Sequence, residues 1–171
     1  SSLGLLVAVS DNGTTSSIMT SPDGVKWTTR TTPNQVWYGI TWSPELSLFC
    51  VVGSSGTGNR VITSPDGITW TSRTSAADVT WSSVCWAASL GLFVAVASTG
   101  VANGIMTSPD GTTWTTRTPA VNSKAWRSVC WSPQLQLLVA VNSNATTADQ
   151  VMTSTDGITW TTRTGAVAAQ T

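Results

Sequence analysis

The sequence predicts an all-β fold, a β-propeller of four-stranded antiparallel blades, and two observations predict it. The segment Ser21-Pro22-Asp23-Gly24-Val25-Lys26-Trp27-Thr28-Thr29-Arg30 recurs at 64–73 and 108–117, and at 154–163 with Thr155 in place of Pro, so that Asp23, Asp66, Asp110 and Asp156 stand 43, 44 and 46 residues apart. Each period holds four short runs rich in Val, Ile, Thr and Trp, separated by Gly, Pro, Asn, Asp and Ser. Such runs read as strands and turns, and four per ~44 residues is the make-up of a propeller blade. No window of helical length carries a 3.6-residue apolar period.

The first run is Tyr38-Gly39-Ile40-Thr41-Trp42-Ser43-Pro44, matched at 82–88 and 127–133. Its Trp42, Trp86 and Trp131 share a strand face with Ile40, Val84 and Val129 and are expected in the core. The second run is the most apolar (5–9, 48–52, 92–96 and 137–141), the third is short (18–20, 61–63, 105–107 and 151–153), and the fourth is the Thr-rich end of the repeat. Blades are therefore expected at 3–30, 37–73, 81–117 and 126–163, the first without its innermost strand. Exposed strand edges invite pairing, so self-association is expected, with the missing strand supplied by a neighbouring molecule or by sequence outside this chain.

Composition removes several function classes. Charged residues make up 9% of the chain and the net charge is zero. A nucleic-acid binder needs a basic surface and a membrane span needs ~20 apolar residues, so neither partner is expected. With no His and three cysteines, Cys50, Cys85 and Cys130, neither a common zinc site nor a Ser-His-Asp system can be assembled. The cysteines read as small buried thiols, and no metal or cofactor is expected.

The repeat's end has the chemistry of a turn. Asp accepts backbone N–H bonds two residues on, Pro presets φ, and Gly supplies a positive φ. The structural positions are Ser21, Asp23, Gly24 and Trp27; Ser64, Asp66, Gly67 and Trp70; Ser108, Asp110, Gly111 and Trp114; and Ser154, Asp156, Gly157 and Trp160. The Args that follow, Arg30, Arg73, Arg117 and Arg163, are expected to reach the next blade and stack on a Trp there.

Ser-x-Asp-Gly-x-x-Trp resembles the Asp-box repeat of sialidase-like propellers, whose usual pattern has one more residue between Asp and Gly. The regular Trp-Ser-Pro-x-Leu and Thr-Ser-Pro-Asp-Gly also look like the repetitive propellers of phage and bacterial surface proteins. That likeness implies an extracellular, cell-surface or virion setting. Sialidase chemistry would need an Arg cluster, a Tyr nucleophile with a Glu partner, and an Asp acid. The only Tyr is Tyr38 and the only Glu is Glu45, expected roughly 20 Å apart along and beyond one strand at ~3.4 Å per residue. No enzyme is expected.

The variable segments gather at the end opposite the Asp turns: the connections 31–36, 74–80 and 118–125, and the loops 10–17, 53–60, 97–104 and 142–150. Variable loops on a rigid scaffold are where binding usually resides. Trp37, Trp81 and Trp126 begin the inner strands at that end and read either as inter-blade core or as platforms for a glycan, with Asn59, Asn103 and Asn144 as hydrogen-bonding partners. The expected function is a non-catalytic structural or interaction module of a surface, fibre or virion assembly. The alternative is a multivalent, lectin-like carbohydrate binder.

Overall fold

The structure, a computed structural model, describes residues 3–12, 18–143 and 150–164. Four antiparallel sheets follow one another along the chain. Blade 1 is β1 (Leu6–Val9), β2 (Ile18–Ser21) and β3 (Thr28–Arg30). Blade 2 is β4 (Trp37–Ser43), β5 (Leu48–Gly53), β6 (Val61–Ser64) and β7 (Thr71–Arg73). Blade 3 is β8 (Trp81–Ala87), β9 (Leu92–Ala97), β10 (Ile105–Ser108) and β11 (Thr115–Arg117), with a short 3-10 turn at Ala88–Leu90. Blade 4 is β12 (Trp126–Ser132), β13 (Leu137–Asn142), β14 (Val151–Ser154) and β15 (Thr161–Arg163). Blades 2 to 4 are four-stranded, and blade 1 is three-stranded among the described residues, with β1 at its inner edge.

Because side chains alternate along each strand, every blade has one face toward the following blade and one toward the preceding blade. The core lies between blades. Val7, Val9 and Ile18 of blade 1 meet Trp37, Val51 and Ile62 of blade 2. Cys50, Val52 and Val61 of blade 2 meet Trp81, Phe93 and Met106 of blade 3. Val94, Val96 and Ile105 of blade 3 meet Trp126, Leu138 and Met152 of blade 4. Fully burying one such side chain stabilises by about 1.5–3 kcal/mol, so each blade depends on its neighbour.

Inner strands approach closely in two ways. At the junction of β4 and β8 a Cβ on Gly39 would stand 3.0 Å from Ser83 Cα, so glycine admits the neighbouring backbone. Between β8 and β12 hydroxyls do the joining, Ser82 Oγ donating to Trp126 O at 2.7 Å and Val129 N–H to Ser83 Oγ at 3.2 Å.

Two expectations are corrected here. The repeat Args do not cross to the next blade. Each Nε donates instead to a Thr hydroxyl of its own blade, Arg30 to Thr20, Arg73 to Thr63, Arg117 to Thr107 and Arg163 to Thr153, at 2.8–3.1 Å. The β-ladder explains this, since Arg and Thr sit on one face of adjacent strands two positions apart in register, within reach of a long side chain. The cysteines are not uniformly buried either: Cys50 is, Cys85 is partly so, and Cys130 is exposed. Cys130 lies on the face of blade 4 that would meet a following blade.

Candidate functional site

The Asp turns are four copies of one hydrogen-bonded device. In each, the Ser Oγ accepts the N–H of the Asp and of the Gly and donates to Asp Oδ1, as Ser108 does to Asp110. Asp Oδ1 then accepts the next two N–H groups, those of Thr112 and Thr113 at 2.7 Å in that copy. The indole Nε1–H closes the turn on the Gly carbonyl, at 3.1–3.3 Å in all four. Gly24, Gly67, Gly111 and Gly157 have φ between 72 and 78°, where a Cβ would clash.

Hydrogen bonding to the carboxylate lowers its pKa, and all four Asps are lowered from 3.8. The leading cause is the Val25 N–H for Asp23 and the Thr69 N–H for Asp66, while Asp156 owes it first to the Thr159 N–H. At Asp110 desolvation pushes upward, and the N–H groups of Thr113 and Thr112 overcome it. A carboxylate held ionised by its own turn is poorly suited to act as a proton donor. Among the described residues no three His, Cys, Asp or Glu side chains gather as a metal site would need.

At the opposite end, Trp37, Trp81 and Trp126 have no exposed surface at all, so they offer no stacking platform. They are inter-blade core. The cause is a β-bulge between Trp37 and Gly39, repeated between Trp81 and Ser83 and between Trp126 and Ser128. The extra residue moves the indole to the face that meets the preceding blade. The bulge also leaves Tyr38 45% exposed, where Ser82 and Arg127 stand in the other copies. Trp42, Trp86 and Trp131, expected in the core, are only half-buried. Trp42 and Trp86 lie against Phe49 and Phe93 with ring centroids 4.4 and 4.6 Å apart, and Trp86 Nε1 donates to Glu45 at 2.6 Å.

Two of the three Asn candidates can be placed, in the loops of different blades. Asn103 is exposed in its loop, Asn59 is half-buried in the 53–60 loop of blade 2, and Asn144 lies outside the described residues. Around Asn59 the structure gathers residues that strand periodicity did not single out. Gly56 is wedged between Asn59 Oδ1 and the Gln35 amide. Ser75 N–H donates to Gly58 O at 3.1 Å and Gly58 N–H to Asp78 Oδ1 at 2.6 Å, with Arg60 Nε 3.6 Å from the same carboxylate. Gln35 Oε1, Asn59 Oδ1 and Ser75 Oγ, and Thr32 Oγ1 in the connection before Gln35, are buried without a hydrogen-bond partner. The indole N–H groups of Trp37, Trp42, Trp126 and Trp131 are also buried without a partner, so what sets the loop acceptors apart is that they cluster.

One signal for this site is present in the sequence. The position two residues before each inner-strand Trp holds Gln35, Val79 and Lys124, three different chemistries in an otherwise regular repeat. Gln35 and Lys124 are both buried there, at 6% and 8% exposure. The Tyr38 and Glu45 of a sialidase-like reading stand apart, Tyr38 at the bulge and Glu45 beyond the far end of β4, bonded to Trp86.

No protein-family model matches the chain, and no curated protein matches it. Solved structures do. Over 92% of its length the chain resembles a chain of the nidogen/laminin complex at 14% identity and a TM-score of 0.66, spanning 60% of that chain. Over 93% of its length it resembles the GH74 enzyme of Niastella koreensis at 20% identity and a TM-score of 0.61, spanning 30% of it. Similarity at these identities speaks to fold alone. The chain is a β-propeller of antiparallel blades.

Proposed function

We propose that this chain is a non-catalytic interaction module whose binding groups lie on the loop end of blade 2. We place its turns with the Asp-box propellers and its setting in a surface, fibre or virion assembly, on the motifs already described. The observation that carries the reading is the contrast between the two ends. In each Asp turn Oδ1 is held by two backbone N–H groups and the Ser hydroxyl, whereas Gln35, Asn59 and Ser75 have buried polar atoms without partners near the Asp78–Arg60 pair. These atoms have almost no accessible surface, so a partner supplying hydroxyl or amide groups would meet them through a local shift of the loop.

A second reading, a lectin-like carbohydrate binder, is favoured by one feature. Tyr38, 45% exposed, follows Gln35 by three residues in the chain, and an exposed aromatic with amide and hydroxyl groups at the same blade end suits a sugar. Only blade 2 carries Tyr38, so that reading gives one site per chain rather than several equivalent ones.

A glycan array and a panel of chromogenic glycosides test both. Turnover of any glycoside abolished by Tyr38→Phe or Glu45→Gln would sink the non-catalytic reading. Glycan binding lost in Asn59→Ala and Tyr38→Ala but kept in Asp156→Asn supports the lectin. An empty array removes the lectin and leaves a protein partner, to be sought with the same variants.

A further inference from the structure

The two ends of the blade series carry faces that no described residue covers. We propose that a second copy of this chain docks head to tail on the first, the outward face of its blade 1 seating on the outward face of blade 4. This concerns the blade faces and stands independently of the loop site.

Blades 1 and 4 present the same residues toward a preceding blade: Leu6 and Leu138, Met19 and Met152, Trp27 and Trp160 occupy equal places in register. In blade 4, packed on blade 3, they are 0%, 0% and 7% exposed; in blade 1 they are 50%, 36% and 40% exposed. The side chains are identical, so the difference is the absent neighbour.

The other half of the contact is equally matched. Blade 3 covers blade 4 with Val94, Val96 and Ile105. The free face of blade 4 repeats them as Val139, Val141 and Val151, one methylene smaller in total, and Val141 is 40% exposed.

The Asp-turn glycines confirm that the ends are apart. A Cβ at Gly157 would lie 3.5 Å from Leu92 and 3.7 Å from Thr107 of the preceding blade, and one at Gly111 would touch Leu48 and Thr63 likewise. One at Gly24 meets only Leu6 of its own blade. The matching residues of blade 4, Leu137 and Thr153, line an open cavity. Docking of a second copy would therefore repeat the outer-strand part of the interface between blades 3 and 4; the inner-strand contacts of Trp126 and Val129 have no counterpart among the described residues of three-stranded blade 1. The zero net charge opposes no such contact. Two different faces meet, so the association is heterologous and closes into a ring or extends.

The test is sedimentation equilibrium of the full chain from about 1 to 200 μM, the range over which modest interfaces dissociate. The expected mass is twice 17.9 kDa or a higher multiple, falling on dilution. Met19→Glu on one face and Val141→Glu on the other should each weaken association ~100-fold or more, since each introduces an unpaired charge into an apolar contact. Both residues are exposed in the free chain; unchanged circular dichroism identifies folded variants, with Leu6→Gln replacing Met19→Glu if that one unfolds. Mixing the two variants should restore a 1:1 dimer through the one intact pair of faces, which a symmetric interface would not do. A monomer at 200 μM, an assembly that survives both substitutions, or a mixture that stays monomeric would each overturn the proposal.

Discussion

The two ends of these blades are built by one repeat, yet only one end repeats. At the Asp-turn end, four copies reproduce the same bonds to within a few tenths of an ångström. At the loop end, Gln35, Val79 and Lys124 occupy one structural position, and around blade 2 Gln35, Asn59 and Ser75 bury polar atoms without partners. The difference separates two demands on the chain. Closing a hairpin has one good solution, and each blade uses it. Binding something needs groups left open, and those differ from blade to blade.

Glycine substitutions should sharpen that contrast most. Gly111 has φ of 73° and its Cβ would stand 3.0 Å from Leu48 Cδ2, whereas Gly58 in the blade 2 loop has φ of 69° and open space around it. Gly111→Ala should therefore cost about 3 kcal/mol, from backbone strain and crowding together, and Gly58→Ala about 1 kcal/mol from strain alone. Urea unfolding of the two variants measures the gap; equal losses would mean that the Asp-turn end is no tighter than the loops.

Acid should affect the Asp-turn end selectively. The four carboxylates have folded pKa values depressed below the ordinary 3.8. Their contribution is thus fully present above the unfolded value and lost as the pH falls below about 4 and on through the folded values. Melting temperature should be flat above about pH 5 and drop below about pH 4, with a shallower drop in Asp110→Asn. An unchanged acid limb in that variant would show that the turns do not set it.

The smallest effect belongs to the tight turn between β4 and β5. Ser47 holds a φ of 48°, where the equivalent position in blade 3 is Gly91. Ser47→Gly should stabilise by about 0.5 kcal/mol, the relief of left-handed strain less the entropy glycine adds to the unfolded chain. Calorimetry at matched pH reads the shift, and a loss of stability would mean that the Ser47 side chain supports the turn.

Much of this fold was legible in the sequence. Repeat spacing and Val, Ile and Thr runs marked every strand of blades 2 to 4, and Ser-x-Asp-Gly-x-x-Trp marked the turns with their bonding. The fates of the Trps were not legible, because strand alternation assumes one residue per rung and the bulge at Tyr38, Ser82 and Arg127 adds another. That single residue sends Trp37, Trp81 and Trp126 into the core and leaves Tyr38 outside. Arg30 and its copies were misread for a related reason. A Thr two rungs away in the same blade satisfies each of them first. The blade 2 cluster depends on Gln35, Asn59 and Ser75, which lie far apart in sequence and meet only through blade closure.

The account rests on the buried loop-end polar atoms being unpaired within the chain, and the stability of Thr32→Val and Ser75→Ala beside Ser154→Ala tests it most directly. Ser154 accepts two N–H groups in its turn, so its removal should cost about 1–2 kcal/mol. Thr32 Oγ1 and Ser75 Oγ are buried without partners, so their removal should leave stability unchanged or raise it by about 1 kcal/mol. Losses at Thr32 and Ser75 as large as that at Ser154 would contradict the account, because those hydroxyls would then be structural.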